Sequence, residues 1–413
     1  MNIKNLNDIL NFRIVEKFEN KREIKLFHLQ NIYFTGISSY YPDILLKNAE
    51  NNFHILPLKE MSMSLNKKSY YEEKGMIFNC SDKDKEKLNV ISEDVYFFIY
   101  NTENYYNFIY DTIPYLYSYL KLKKNKKIKL LMNYNKNKNK HLRFVEESLA
   151  LLGINDILIH KEENLYKNIY LSNSLTHDGL SNEPPRKEIF ELYEIMIKNA
   201  LKLNLDNVIN HDKIYISRRT WINKDNDNIG TNYTLRRKLT NEDLLVKNLE
   251  EKGFFEFFGE NYSMTEKIII FNKSKMIIGA IGGTITNCVF CGPNTKIITL
   301  VSPDFLRLNY RMSFLFKNNN YLFKDSCLDC KDGEIPPNVR IEIIDDIPEK
   351  GMIGEIICKK NNGYLIRLGK NFIGLSQDEK YENLFLKEKQ FKKLDNGINS
   401  PWKIDINKLL NLI

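Results

Sequence analysis

No run of about 18 uncharged apolar residues occurs in the 413-residue chain, so no transmembrane helix is expected. A secretory signal is missing too. The opening MNIKNLNDILNFRIVEKFENK scatters charges through any would-be apolar core. Histidine is scarce: six residues, none after His211. Beyond His211 the chain therefore has no imidazole to offer as a base. Cysteine also numbers six. Few thiols and no signal fit a reducing compartment, and a cytoplasmic location is expected. Cys288/Cys291 and Cys327/Cys330 have C-x-x-C spacing, but the gap between the pairs is much longer than in zinc ribbons. They read as structural thiols, and no metal site is expected. Neither G-x-G-x-x-G nor a P-loop is present, and no internal repeat is visible.

Apolar material is plentiful: 43% hydrophobic residues, with 24 Tyr and 24 Phe. That excludes a disordered chain, and the length implies two domains. The net charge is +8, and residues 121–140 (KLKKNKKIKLLMNYNKNKNK) are its most basic run. Such a run suits nucleic acid or an anionic membrane surface. Lys and Asn are abundant throughout, however, and no nucleic-acid motif accompanies the run. A solvated face is the better account. No nucleic-acid partner is expected, while peripheral contact with an anionic membrane stays open.

The periodicity alternates between strand and helix. A β-rich opening holds strands at 31–40 and 51–58. VYFFIY (95–100), KIKLLMN (127–133) and DILIH (156–160) read as strands, with helices over 104–122, 141–153 and 185–202. A second run alternates over 213–301. KIYIS (213–217), FFEFF (254–258), 276–278 and 296–301 are its strands. Residues 240–253 form a helix capped by Thr240 or Asn241 and stopped by Gly253. Residues 219–236 read as polar loop. The fold class is therefore α/β with mainly parallel sheets. The boundary falls near 204–212. The expected layout is an N-terminal domain over 1–208, a Rossmann-like domain over 209–330, a β-rich insertion over 331–395 and a C-terminal helix over 396–413.

Ligands in open α/β sheets bind beyond the carboxyl ends of the strands. Ser217, Arg218 and Arg219 follow the first strand of the second domain, where arginines can clamp a diphosphate. Gly282, Gly283 and Thr284 form a turn before a short helix. Glycines there let backbone amides approach an anion near a helix N-terminus. Asn241, Glu242, Ser263 and Glu266 stand at helix starts and could hold a ribose or a base. Ser263 and Glu266 fit a capping box equally well, and Glu242 would also favour the helix dipole.

In chain order these residues spell Y-I-S-R (215–218), R-x-x-x-N-E (Arg237, Asn241, Glu242), S-x-x-E (263–266) and G-x-x-G-G-x-x-T-N (279–287). F-x-G-P-N-T-K-I-I-x-L (290–300) follows, and N-Y-Y-N-F-I-Y-D-T-I-P (104–114) precedes them. Together they resemble glycosyltransferase family 61, over about residues 95–316 plus the KIDINKLLNLI tail. That family includes bacterial capsular-polysaccharide enzymes and eukaryotic xylosyl- and N-acetylglucosaminyltransferases. The resemblance implies a GT-B-like fold of two Rossmann-like domains facing a cleft. It implies an inverting, metal-independent transfer with no cofactor beyond a nucleotide-sugar co-substrate, taken as a UDP-sugar. The donor side would comprise Ser217, Arg218, Arg237, Asn241, Glu242, Ser263, Glu266, Gly282, Gly283, Thr284, Thr286 and Asn287. Asn104, Tyr105, Tyr106 and Asn107 would lie on the acceptor side, facing a glycan or lipid-linked glycan.

Two positions depart from the family pattern: Ile281 and Asn107 stand where many members carry histidine. With those imidazoles absent, Asp111 is the candidate base, and a helix-surface or capping carboxylate is its plain alternative. The substitutions fit a different donor or acceptor, or lost activity. The rivals are a catalytically degenerate nucleotide-sugar-binding or scaffold protein and a nicotinamide-dependent oxidoreductase. The missing dinucleotide fingerprint disfavours the second. Segment 331–395 is expected to cover the acceptor side or to make a homo-oligomer.

Overall fold

The computed structural model describes residues 24, 26–35, 43–47, 53–55, 89–100, 102, 104–133, 141–161, 164–172, 174–176, 185–203, 205, 211–219, 237–303, 316, 319–368 and 382–413. The expected polar loop lies outside these residues apart from Arg219, as do 36–40, 56–58 and 134–140. The described chain divides into two compact units, one holding residues 24–205 and 262–272, the other residues 211–261 and 273–413.

The first unit is built on a seven-stranded sheet. Its strands are β1 (Leu26–Thr35), β2 (Asp43–Lys47), β3 (Phe53–Ile55), β4 (Asn89–Phe97), β5 (Lys129–Asn133), β6 (Ile157–His160) and β7 (Asn164–Ser172), in the order β3-β2-β1-β7-β4-β5-β6. β7, β4, β5 and β6 run parallel, while β1, β2 and β3 form an antiparallel extension. Val95 to Tyr100 are all buried, the continuous apolar run expected of a strand covered on both faces. The expected helix over 104–122 is broken into four pieces. A single α-turn at Tyr105–Asn107 leads to a π-turn at Phe108–Thr112, a 3-10 turn at Ile113–Tyr115 and helix α1 at Leu116–Lys123. Helix α2 (Arg143–Leu151) stops just before Gly153. The Gly153 N–H bonds Ala150 O, the Ile154 N–H bonds Leu149 O, and Gly153 takes the left-handed conformation at φ +68. Helix α3 spans Ile189–Lys202. In the basic run, Lys121, Lys126 and Lys129 pair with Glu191, Asp94 and Glu93.

The second unit carries β8 (Lys213–Ile216), β9 (Phe255–Phe257), β10 (Met276–Ala280), β11 (Lys296–Leu300) and β12 (Asn319–Phe323), all parallel, in the order β12-β11-β10-β8-β9. Helix α4 (Glu242–Glu251) links β8 to β9; between β9 and β10 the chain runs through α5 (Met264–Lys273), whose residues 264–272 belong to the first unit. Renumbered from β8, the order is 2-1-3-4-5, a doubly wound sheet whose order reverses between β8 and β10. The mixed α/β architecture with parallel sheets is thus as expected. β7 and β12 were not read from the sequence.

The C-terminus departs from expectation. Its helix, α6, spans only Ile406–Leu410, and Trp402–Ile404 is a strand, here called β19. β19 pairs antiparallel with β13 (Ser326–Leu328). Trp402, 1% exposed, belongs to the core that joins Leu245, Leu249, Ile278 and Leu300. Between β13 and β19 lies a five-stranded antiparallel sheet: β14 (Arg340–Ile343), β15 (Ile353–Lys360), β16 (Gly363–Leu368), β17 (Glu382–Leu386) and β18 (Phe391–Lys393). Its order is β17-β16-β15-β14-β18, and it encloses its own core, including Ile341, Ile356, Tyr364 and Ile366. Among the described residues, no helix is long and apolar enough to cross a membrane, and no group of three or more His, Cys, Asp or Glu is placed to hold a metal ion.

Candidate functional site

The order reversal between β8 and β10 brings two loops together. Beyond β8 come Ser217 and Arg218, and beyond β10 come Ile281, Gly282 and Gly283. Arg218 is 6% exposed, and its Nη1 donates to Ile281 O at 2.9 Å. The glycine turn makes this approach possible. A Cβ at Gly282 would stand 2.8 Å from Arg218 Nη1, so a side chain there would displace the guanidinium. Nε and Nη2 of Arg218 have no hydrogen-bond partner among the described residues. A buried guanidinium with two unused donors is costly unless an anion completes it. Burial pulls the Arg218 pKa below its ordinary value, and the nearby Glu242 opposes that shift.

Glu242, 2% exposed at the start of α4, organises the same loop. Its Oε1 accepts from the Arg218 N–H at 2.6 Å and from Tyr215 OH at 2.8 Å, with Ser217 Oγ at 3.5 Å. Its Oε2 has no partner among the described residues. Burial raises the carboxyl pKa although the hydrogen bonds from the Arg218 N–H and Tyr215 OH lower it. Beyond the glycine turn runs a 3-10 helix, Thr284–Phe290. Asn287, fully buried, donates from Nδ2 to Thr284 O at 2.8 Å and so closes the turn. Thr286 is fully buried as well, and its Oγ1 lacks a partner among the described residues. Thr284 packs on Gly259, where a Cβ would come within 2.7 Å of Thr284 Cγ2. The cradle thus combines a cation, a carboxylate, small residues and hydroxyls at a topological switch point. That is the chemistry of an anion bearing hydroxyl groups, such as a nucleotide.

Residues 105–298 match the family model described as Glycosyltransferase 61. That segment, just under half of the chain, is similar to glycosyltransferase family 61. No curated protein matches it significantly. The matched segment runs from the helical turn after β4 to β11 and contains every residue of the cradle.

Several residues expected on the donor side also serve the fold itself. Asn241 bonds the Ile404 backbone in both directions, Nδ2 to O at 2.8 Å and N–H to Oδ1 at 3.3 Å, and so anchors β19. Arg237 accepts from Trp402 Nε1 through its carbonyl at 3.1 Å. Arg219 is bound to Glu256 (Nε, 2.8 Å) and Asp243 (Nη1, 2.9 Å), and these carboxylates push its pKa upward. It braces the strand end beside Arg218. Ser263 and Glu266 form the capping box of α5: Ser263 N–H to Glu266 Oε2 at 2.6 Å, and Glu266 N–H to Ser263 Oγ at 3.2 Å. Of Arg218 and Arg219, Arg218 is the one in the cradle. Tyr215 and Gly259 were missed. The strand pattern buries the tyrosine, and nothing local marks that glycine.

In the first unit, Asn104 caps the turn that follows it, accepting from the Asn107 N–H at 3.1 Å. Tyr105 donates to Met264 Sδ at 3.3 Å and lies edge-on to Phe144, with the Lys267 amine 4.7 Å from its ring centre. Tyr106 stacks on Tyr110. Asp111 stays partly exposed within the π-turn, while Phe108, Ile109, Tyr110 and Thr112 are buried. Two residues on different elements bear on that turn. Five residues after Ile109 comes Pro114, which has no N–H to complete the π-pattern. Tyr193 OH supplies the missing donor, reaching Ile109 O at 2.8 Å.

Proposed function

We propose that the chain is an inverting, metal-independent glycosyltransferase that moves a sugar from a nucleotide-sugar, most simply a UDP-sugar, to a glycan or lipid-linked glycan. The single observation behind this reading is Arg218: buried, seated against the Gly282 turn at the switch point, with two donors unpaired among the described residues. In this reading the unit from 209 onward is the donor half and the unit over 1–208 the acceptor half of a GT-B-type enzyme. Arg218 neutralises the diphosphate, backbone amides of Gly283 and Thr284 approach it, and Glu242 and Thr286 meet the ribose hydroxyls. Asp111 takes the proton of the acceptor hydroxyl while that oxygen bonds the anomeric carbon. The bond from that carbon to the diphosphate oxygen breaks on the opposite face, and its electron pair leaves with the nucleoside diphosphate. The location that goes with this reading is cytoplasmic, with peripheral contact with an anionic membrane.

Thermal unfolding with UDP-, GDP-, CMP- and dTDP-sugars, in EDTA, tests the donor site. The expected result is stabilisation of the wild type by one nucleotide class, about 2.7 kcal/mol at a hundred times its Kd. Arg218→Ala should show none. No shift with any nucleotide would sink the reading. One observation favours a second reading, a nucleotide-sugar-binding protein without turnover: Ile281 is buried and offers the cradle only its carbonyl. Binding without release of nucleoside diphosphate would support it.

A further inference from the structure

The loops beyond the carboxyl ends of β4 and β7, neighbouring parallel strands, converge on Asp111. Thr176 lies four residues past β7, is fully buried, and donates from Oγ1 to Asp111 Oδ1 at 3.3 Å. Its own loop is held from several sides. The Thr176 N–H reaches Ser174 Oγ at 3.4 Å, the two hydroxyl oxygens are 3.4 Å apart, and the Arg186 N–H bonds Leu175 O at 2.8 Å. One step earlier, Ser172 Oγ meets Tyr96 OH at 2.8 Å, and that hydroxyl also donates to Tyr115 O at 2.7 Å. The end of β7 is therefore tied to the segment that carries Asp111 at two places, Tyr115 through Tyr96 and Asp111 itself. A buried hydroxyl has to find an acceptor. This one takes the partly exposed carboxylate of a turn whose other members are closed off.

We infer that Thr176 is a positioning residue: it fixes the Asp111 carboxylate in one orientation, so that the hydroxyl of a sugar acceptor meets its base in a single geometry. The inference rests on the reading of Asp111 as the base. Misplacement of a reacting group by about 1 Å costs on the order of a hundredfold in rate, and a loosened carboxylate should lose part of that.

The test compares wild type, Thr176→Val, Thr176→Ala, Thr176→Ser, Asp111→Asn and the Thr176→Val/Asp111→Asn double variant. The readouts are melting temperature and release of UDP from UDP-glucose, UDP-galactose, UDP-N-acetylglucosamine and UDP-xylose, with water as acceptor. Asp111→Asn should lower release about 10²–10⁴-fold and leave a measurable residual rate. Thr176→Val and Thr176→Ala should lower kcat on the order of tenfold with the donor KM unchanged, and Thr176→Ser should restore most of it. In the Asp111→Asn background, Thr176→Val should cost nothing further. Running Val and Ala together lets one decide if the other fails to fold. Unchanged kcat in the Thr176 variants, failure of Ser to rescue, or an equal loss in both backgrounds overturns the positioning role alone. Full activity in Asp111→Asn, or no nucleotide release by wild type from these donors or from GDP-, CMP- and dTDP-sugars, overturns the underlying reading and this inference with it.

Discussion

Arg218 occupies the space that a side chain at Gly282 would need: a Cβ at Gly282 would come within 2.8 Å of Nη1. The clash is with the far end of a flexible side chain, not with backbone. Gly282→Ala should therefore fold normally and push the guanidinium aside. The expected outcome is a melting temperature close to wild type together with at least tenfold weaker nucleotide binding by titration calorimetry. Wild-type affinity in Gly282→Ala would mean that Arg218 is not the anion's seat.

Glu242 predicts a pH dependence of stability. Burial raises its carboxyl pKa above the ordinary value of 4.5. The folded state then holds the proton to higher pH than the unfolded state. Stability is lost as pH climbs from about 4.5 through the folded pKa, and the loss is complete above it. Glu242→Gln removes this slope. The stability of wild type minus that of Glu242→Gln should fall as pH rises from 4 to 7, measured by denaturant unfolding at each pH. A difference that grows over that range would refute the assigned direction.

How legible was this site beforehand? Strand β8, the Gly253 stop, the glycine turn and β11 are local patterns, and all are present. Ser263 and Asn241 were ambiguous for a physical reason. The groups that hold a ribose are the same groups that satisfy a helix end or a passing strand, and only long-range packing decides. Asn241 binds Ile404, 163 residues away. The π-turn was unreadable because its cause is shared between Pro114 and Tyr193, on different elements.

Trp402 shows the same dependence on distant contacts, and it can be tested. Its backbone N–H bonds Lys238 O at 2.9 Å, its carbonyl accepts from the Thr240 N–H at 2.8 Å, and its ring fills the core under α4. Trp402→Ala should cost about 3–5 kcal/mol of stability. It should also weaken nucleotide binding, since Arg237 to Glu242 are held from β19. Urea unfolding gives the first quantity and calorimetry the second. A cost below about 1 kcal/mol would show that the C-terminal strand does not support this unit.

Tyr193 tests whether the π-turn serves the site. Tyr193→Phe keeps the ring and removes this donor to Ile109 O. A buried carbonyl left without a partner costs about 1–3 kcal/mol. The turn has a way to escape that cost: it can rewind and give the carbonyl to water. Rewinding would rotate Asp111 away from Thr176, so activity should fall more steeply than stability. UDP release and urea unfolding of the same preparation separate the two. If Tyr193→Phe loses stability by that amount but keeps the wild-type rate, the π-turn is a packing solution around Pro114 and Asp111 does not depend on it.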